Sequence, residues 1–97
     1  MAEYVRASTF DADEPALDAL VNAINSADGP PEGVPATRIT VLADRSAGKV
    51  VVAVRFASEA DLQEGAATLD AMSPPVGSNL RRVSVDAYEV VLDRQAP

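Results

Sequence analysis

The sequence predicts an α+β fold of the ferredoxin-like type: a four-stranded antiparallel sheet with two helices on one face, in a single domain covering residues 1–97. Three observations predict it. Four segments alternate apolar and polar residues, as a half-buried strand requires, and two segments repeat apolar residues at helical spacing. The order of these segments is β-α-β-β-α-β. Two right-handed crossovers then place the first and third strands at the centre of the sheet, with the fourth beside the first.

"AEYVRASTF" alternates from Ala2 to Phe10 and is the first strand. "DADEPALDALVNAINSADG" is the first helix. Asp13 suits its N-cap and Pro15 its first turn, where a missing N–H costs nothing. Leu17, Leu20, Val21 and Ile24 form its apolar stripe, and Gly29 is the expected C-terminal stop before Pro30 and Pro31. "GPPEGVPA" reads as a stiff loop. "TRITVLA" and "KVVVAVRF" are two strands joined as a hairpin through "DRSAGK". In "SEAD", Ser58 begins a second helix, with Asp61 in the capping-box position. Leu62, Ala66, Leu69 and Met72 form its inner face, and Gly65 beside them lets it approach the sheet closely. "SPPVGSN" ends that helix, and "LRRVSVDAYEVVLD" is the last strand.

Composition removes several function classes. The chain has neither Cys nor His. Thiolate and Ser-His-Asp nucleophiles, thiolate metal sites and His-ligated haem are therefore excluded. A formal net charge of −7 argues against nucleic acid or an anionic membrane as partner. No apolar run nears the roughly 20 residues of a membrane span. The strand-like start does not resemble a signal peptide, so a cytoplasmic location is the expectation.

The strand pattern also predicts what each face of the sheet does. One parity collects Val5, Ala7, Ile39, Val41, the alternate residues Val50 to Phe56, Val83 and Val85, and is assigned to the helix side. The other collects Tyr4, Arg6 and Ser8 with Leu42, Val51, Ala53, Arg55, Asp86, Tyr88 and Val90. That second face is too apolar to be left bare on a monomer. Its simplest cover is the same face of a second chain, so a homodimer through the open sheet face is expected.

Six residues are candidates for binding a small ligand. Arg6, Arg55 and Asp86 are expected to lie together on the open face, where they could hold an acidic group or stabilise an oxyanion. A structural ion-pair network at a dimer interface explains them as well. Tyr4 and Tyr88 beside these arginines could act as acid–base groups with lowered pKa. Asn22 on the first helix could turn a hydrogen-bonding amide toward the sheet, with Asn25 a weaker case. The acidic run Asp11 to Glu14 is explained by the helix dipole, so no metal is assigned. Nothing in the pattern calls for a cofactor, and no catalytic residue is assigned.

The element order, the half-apolar sheet face, the strand-end and helix "FASEADLQEGAATLDAM" and the terminal strand "RRVSVDAYEVV" together resemble the dimeric α/β-barrel superfamily. The small antibiotic-biosynthesis-type monooxygenases are its best known members. The resemblance implies a homodimer with sheets packed back to back and a pocket for a small organic ligand between helices and sheet. It also implies cofactor-independent monooxygenase activity. The scarcity of catalytic residue types supports the alternative, a non-catalytic dimeric structural or interaction module.

Overall fold

The computed structural model describes residues 2–30, 32–71 and 80–96. Its elements run β1 (Glu3–Asp11), α1 (Glu14–Ser26), β2 (Ala36–Asp44), β3 (Lys49–Phe56), α2 (Glu59–Ala71) and β4 (Arg81–Val90). The strands form one antiparallel sheet in the order β2-β3-β1-β4, the expected ferredoxin-like arrangement.

Local chemistry sets the helix starts. Asp13 Oδ1 accepts a hydrogen bond from the Ala16 N–H at 2.8 Å, so Asp13 is the N-cap of α1. Ser58 Oγ likewise accepts from the Asp61 N–H at 3.2 Å and caps α2. The end of α1 departs from expectation. The helix stops at Ser26, and Ala27 is extended rather than helical. Asn25, Ser26 and Asp28 favour turns, and Pro30 turns Gly29 away from helical geometry. Gly29 does not take the left-handed conformation of a C-terminal glycine cap; Gly33 and Gly48 do, with φ of +85° and +66°.

The core centres on Phe56, which is wholly buried, with Val34, Val54 and Leu62. Tyr4, Ala36, Ile39, Val52 and Leu69 pack around it. Val34 brings the proline-rich loop into the core, and Thr68 Oγ1 fastens that loop to α2 by donating to the Gly33 carbonyl at 3.0 Å. Gly65 lies against Phe56, and a Cβ at this position would stand 2.5 Å from the ring. Gly65 thus brings the helix close to the sheet, as its place beside the inner face suggests. Met72, expected on that inner face, lies outside the described residues.

The register corrects the face assignment of β1. Tyr4, Arg6, Ser8 and Phe10 stand opposite Phe56, Val54, Val52 and Val50, and directly opposed residues share a face. Arg6 and Ser8 therefore point to the helices, and Val5, Ala7 and Thr9 occupy the open face. Polarity suggested the reverse. The bulk of Tyr4 and Phe10 fills the helix side, and the two polar residues between them are buried with partners. A bulge near Val83 shifts the β1–β4 register, but Asp86, beyond it, remains on the open face opposite Ala7.

Alanine at Gly65 tests the close approach. Such a change in an exposed helix normally stabilises, by up to about 1 kcal/mol. Here Phe56 cannot yield, so Gly65→Ala is expected to destabilise by about 1–3 kcal/mol, read as a lower urea midpoint. An unchanged or raised midpoint would show that α2 does not sit this close.

Candidate functional site

The expected Arg6–Arg55–Asp86 cluster is not assembled, because Arg6 lies on the other side of the sheet. Arg6 is 5% exposed. Its Nη1 donates to Ser8 Oγ at 3.0 Å and its Nη2 to Asp70 Oδ1 of α2 at 2.6 Å. Arg82 Nη1 reaches the same carboxylate oxygen at 3.3 Å. Asp70 stands near the C-terminus of α2, where the helix dipole disfavours a carboxylate, and the two guanidinium groups offset this. The group ties α2 to β1 and β4.

Arg55 remains on the open face, but its partners are Glu3 Oε2 at 3.0 Å and Asp93 Oδ2 at 2.9 Å. The Asp93 hydrogen bond, opposed by desolvation and aided by Glu3, raises its pKa, so its positive charge is fixed. Its Nε is buried without a hydrogen bond among the described residues. Asp86 is exposed on β4, with β1 between it and β3.

Tyr4 faces the helices, and its hydroxyl lies 3.4 Å from Glu89 Oε2. Desolvation, then Glu89 and Glu59, raises its pKa, opposite to the lowered value expected beside Arg. This phenol is not poised to be a base near neutral pH. Tyr88 is on the open face and 57% exposed. Asn22 is exposed and lines none of the cavities described below. The acidic run is occupied: Asp11 pairs with Lys49 and Arg81, Asp13 caps α1, and Glu14 pairs with Arg45.

The sheet and helices instead form a cleft at α1. This helix buries Ala16 and Leu17 in its first turns, while Ile24 is half-buried and Val21 exposed. The C-terminal half of α1 therefore stands off β2. An open cavity of about 450 Å³ lies there, with Ala23, Ile24 and Ala27 on one wall and Ala36 and Ile39 on the other. A second, of about 340 Å³, shares Ile24 and Ile39 and extends past Val21, Asn25 and Val41. Asn25, the weaker candidate, thus lines this space and Asn22 does not. On α2, by contrast, the small residue Gly65 is spent on contact with Phe56. The overlooked signal was the pair of small residues Ala23 and Ala27 at the C-terminal end of α1 and just beyond it.

The polar lining of the two cavities includes Asn25, Thr37 and Arg45, and Arg38, set on the open face by its pairing with Arg55, borders the first at the edge of the sheet. None of these offers a general base near neutral pH, and Arg45 is paired with Glu14. Among the described residues, no group of three or more His, Cys, Asp or Glu is placed to hold a metal. Among them, too, no helix is long and apolar enough to cross a membrane.

The class defined so far is thus a ferredoxin-like α+β domain with an apolar cleft at α1 and an open, half-apolar sheet face. No family model, curated protein or solved structure matches the chain.

Two expectations test these electrostatics. Asp70→Ala strands the buried Arg6 with Ser8 as its remaining described partner, and should cost about 1–3 kcal/mol in denaturant unfolding. No loss would mean that Arg6 finds equal partners elsewhere. In the β2–β3 turn, the Ser46 hydroxyl, then the Ala47 N–H, lowers the Asp44 pKa below its ordinary 3.8. Its contribution is present above 3.8 and lost as pH falls through the lower folded value. The stability gap between the native chain and Asp44→Ala should therefore close in acid; a gap constant with pH would refute the assignment.

Proposed function

We propose that the protein is a homodimer that binds a small, mainly apolar organic molecule between α1 and β2 and performs no chemistry on it. The observation that carries this reading is the cleft. Its volume lies within the roughly 300–1,000 Å³ typical of ligand sites, and its walls are mostly apolar with few polar groups. Its position between helix and sheet is where the resemblance to the dimeric α/β barrels leads one to look. Oxygenase chemistry of that kind would need a group to take a proton from the substrate, and the described residues lining the cleft supply none.

The open face supports the homodimer. Correcting β1 removes Tyr4, Arg6 and Ser8 from that face and adds Val5, Ala7 and Thr9, so it is more apolar than polarity alone suggested. Leu42 and Tyr88 flank these small residues and are 56% and 57% exposed. Val91 and Leu92, just beyond β4, are exposed as well. Burial against a second copy would remove this surface from water.

Titration with Nile red, a neutral apolar dye, tests the cleft. Saturable binding is expected in the native chain and its loss in Ala27→Trp, whose ring would fill the cleft from an exposed position while the unfolding midpoint is kept. Binding that survives the tryptophan places the dye elsewhere and removes the support for the cleft.

A further inference from the structure

The register turns the open face into a grid of rows running from β2 across β3 and β1 to β4. One row holds Arg38, Arg55, Val5 and Tyr88. The next holds Thr40, Ala53, Ala7 and Asp86. Charges on the central strands are neutralised within the chain, Arg55 by Glu3 and Asp93, and Lys49 by Asp11. At the far end of the face, Asp44 caps the hairpin turn and Arg81 meets Asp11. Two charges remain. Arg38 on the β2 edge and Asp86 on the β4 edge are exposed, and neither makes a hydrogen bond or ion pair among the described residues. The face therefore carries an unspent cation on one edge and an unspent anion on the other.

Stacking this face on itself leaves two choices, because the two-fold axis runs either across the strands or along them. An axis across the strands lays β4 over β4 and β2 over β2. With such an axis passing near these rows, Asp86 faces the partner's Asp86 and Arg38 the partner's Arg38, with like charges brought out of water. An axis along the strands lays β2 over the partner's β4, so opposite charges meet at both edges. It also lays β3 over the partner's β1. Ala53 then faces the partner's Ala7, and these small side chains let the sheets approach to about 10 Å.

Resting on the homodimer reading, we propose that the sheets stack with the two-fold axis along the strands, so that Arg38 pairs with the partner's Asp86. Arg38 shares its row with Tyr88, so the guanidinium also comes within reach of the partner's Tyr88 ring. The contact occurs twice per dimer by symmetry, which doubles the effect of each substitution.

Dimer dissociation constants measured by analytical ultracentrifugation test this, for the native chain and for Arg38→Glu, Asp86→Lys, their double variant and Asp86→Asn. Both positions are exposed and unpaired among the described residues, so folding should survive, as checked by circular dichroism and the unfolding midpoint. Each charge reversal is expected to weaken the dimer about tenfold or more, less so at high salt. The double variant should recover most of the loss, and Asp86→Asn should weaken the dimer mildly. A tighter dimer for Asp86→Asn would mean that two Asp86 carboxylates face one another, which overturns the axis while leaving the homodimer. Additive losses in the double variant would overturn the pairing in the same way. A native chain that stays monomeric at every concentration would overturn the homodimer itself.

Discussion

The contact between Phe56 and Gly65 sets the geometry of the rest. Phe56 ends β3 and is wholly buried, and α2 can lie over it because residue 65 has no side chain. The helix then comes near enough for Asp70 to receive the guanidinium of Arg6 and for Thr68 to hold the Gly33 carbonyl. A single side chain added at 65 would lift α2 and loosen all of these contacts together. They are one packing unit spread over three elements, rather than separate sources of stability.

The same economy leaves α1 less well held. With Phe56, Val34 and Leu62 of α2 committed to one core, Ala23 and Ala27 have little bulk to offer β2, and the cleft opens there. A helix with few large residues facing a sheet either collapses onto it or leaves room for something else. The helix stops early, at Ser26, with Ala27 extended, and Ala27 and Ile39 line the cavity between them. The asymmetry between the helices is thus the physical basis of the ligand-binding reading.

The two faces of the sheet treat charge differently. On the helix side, Arg6 is drawn out of water and is tolerated because Ser8 and Asp70 accept its hydrogen bonds. On the open side, Arg55 keeps partial exposure and takes Glu3 and Asp93. Neither arginine is left with an unspent charge for an acidic ligand. The open face instead keeps its unpaired charges at its two edges, where a second sheet would meet them.

The element order, the strand order, the N-caps of both helices, the hairpin and the close approach at Gly65 were legible in the sequence. Each rests on nearest-neighbour chemistry: alternation, helical spacing, a hydroxyl or carboxylate before a helix, or a missing side chain. The orientation of β1 was not legible. Polarity favours Val5 and Ala7 inward, and the choice turned on a carboxylate in α2, 64 residues away, able to satisfy Arg6. Nor was the cleft. A run of alanines signals small volume, but whether that volume closes up or stays open depends on how the other helix has already used the core. The sequence by itself determined which elements form and how they connect, because those are local interactions. Only the tertiary structure decided which side chains share a face and where space remains, because both depend on partners distant in the chain.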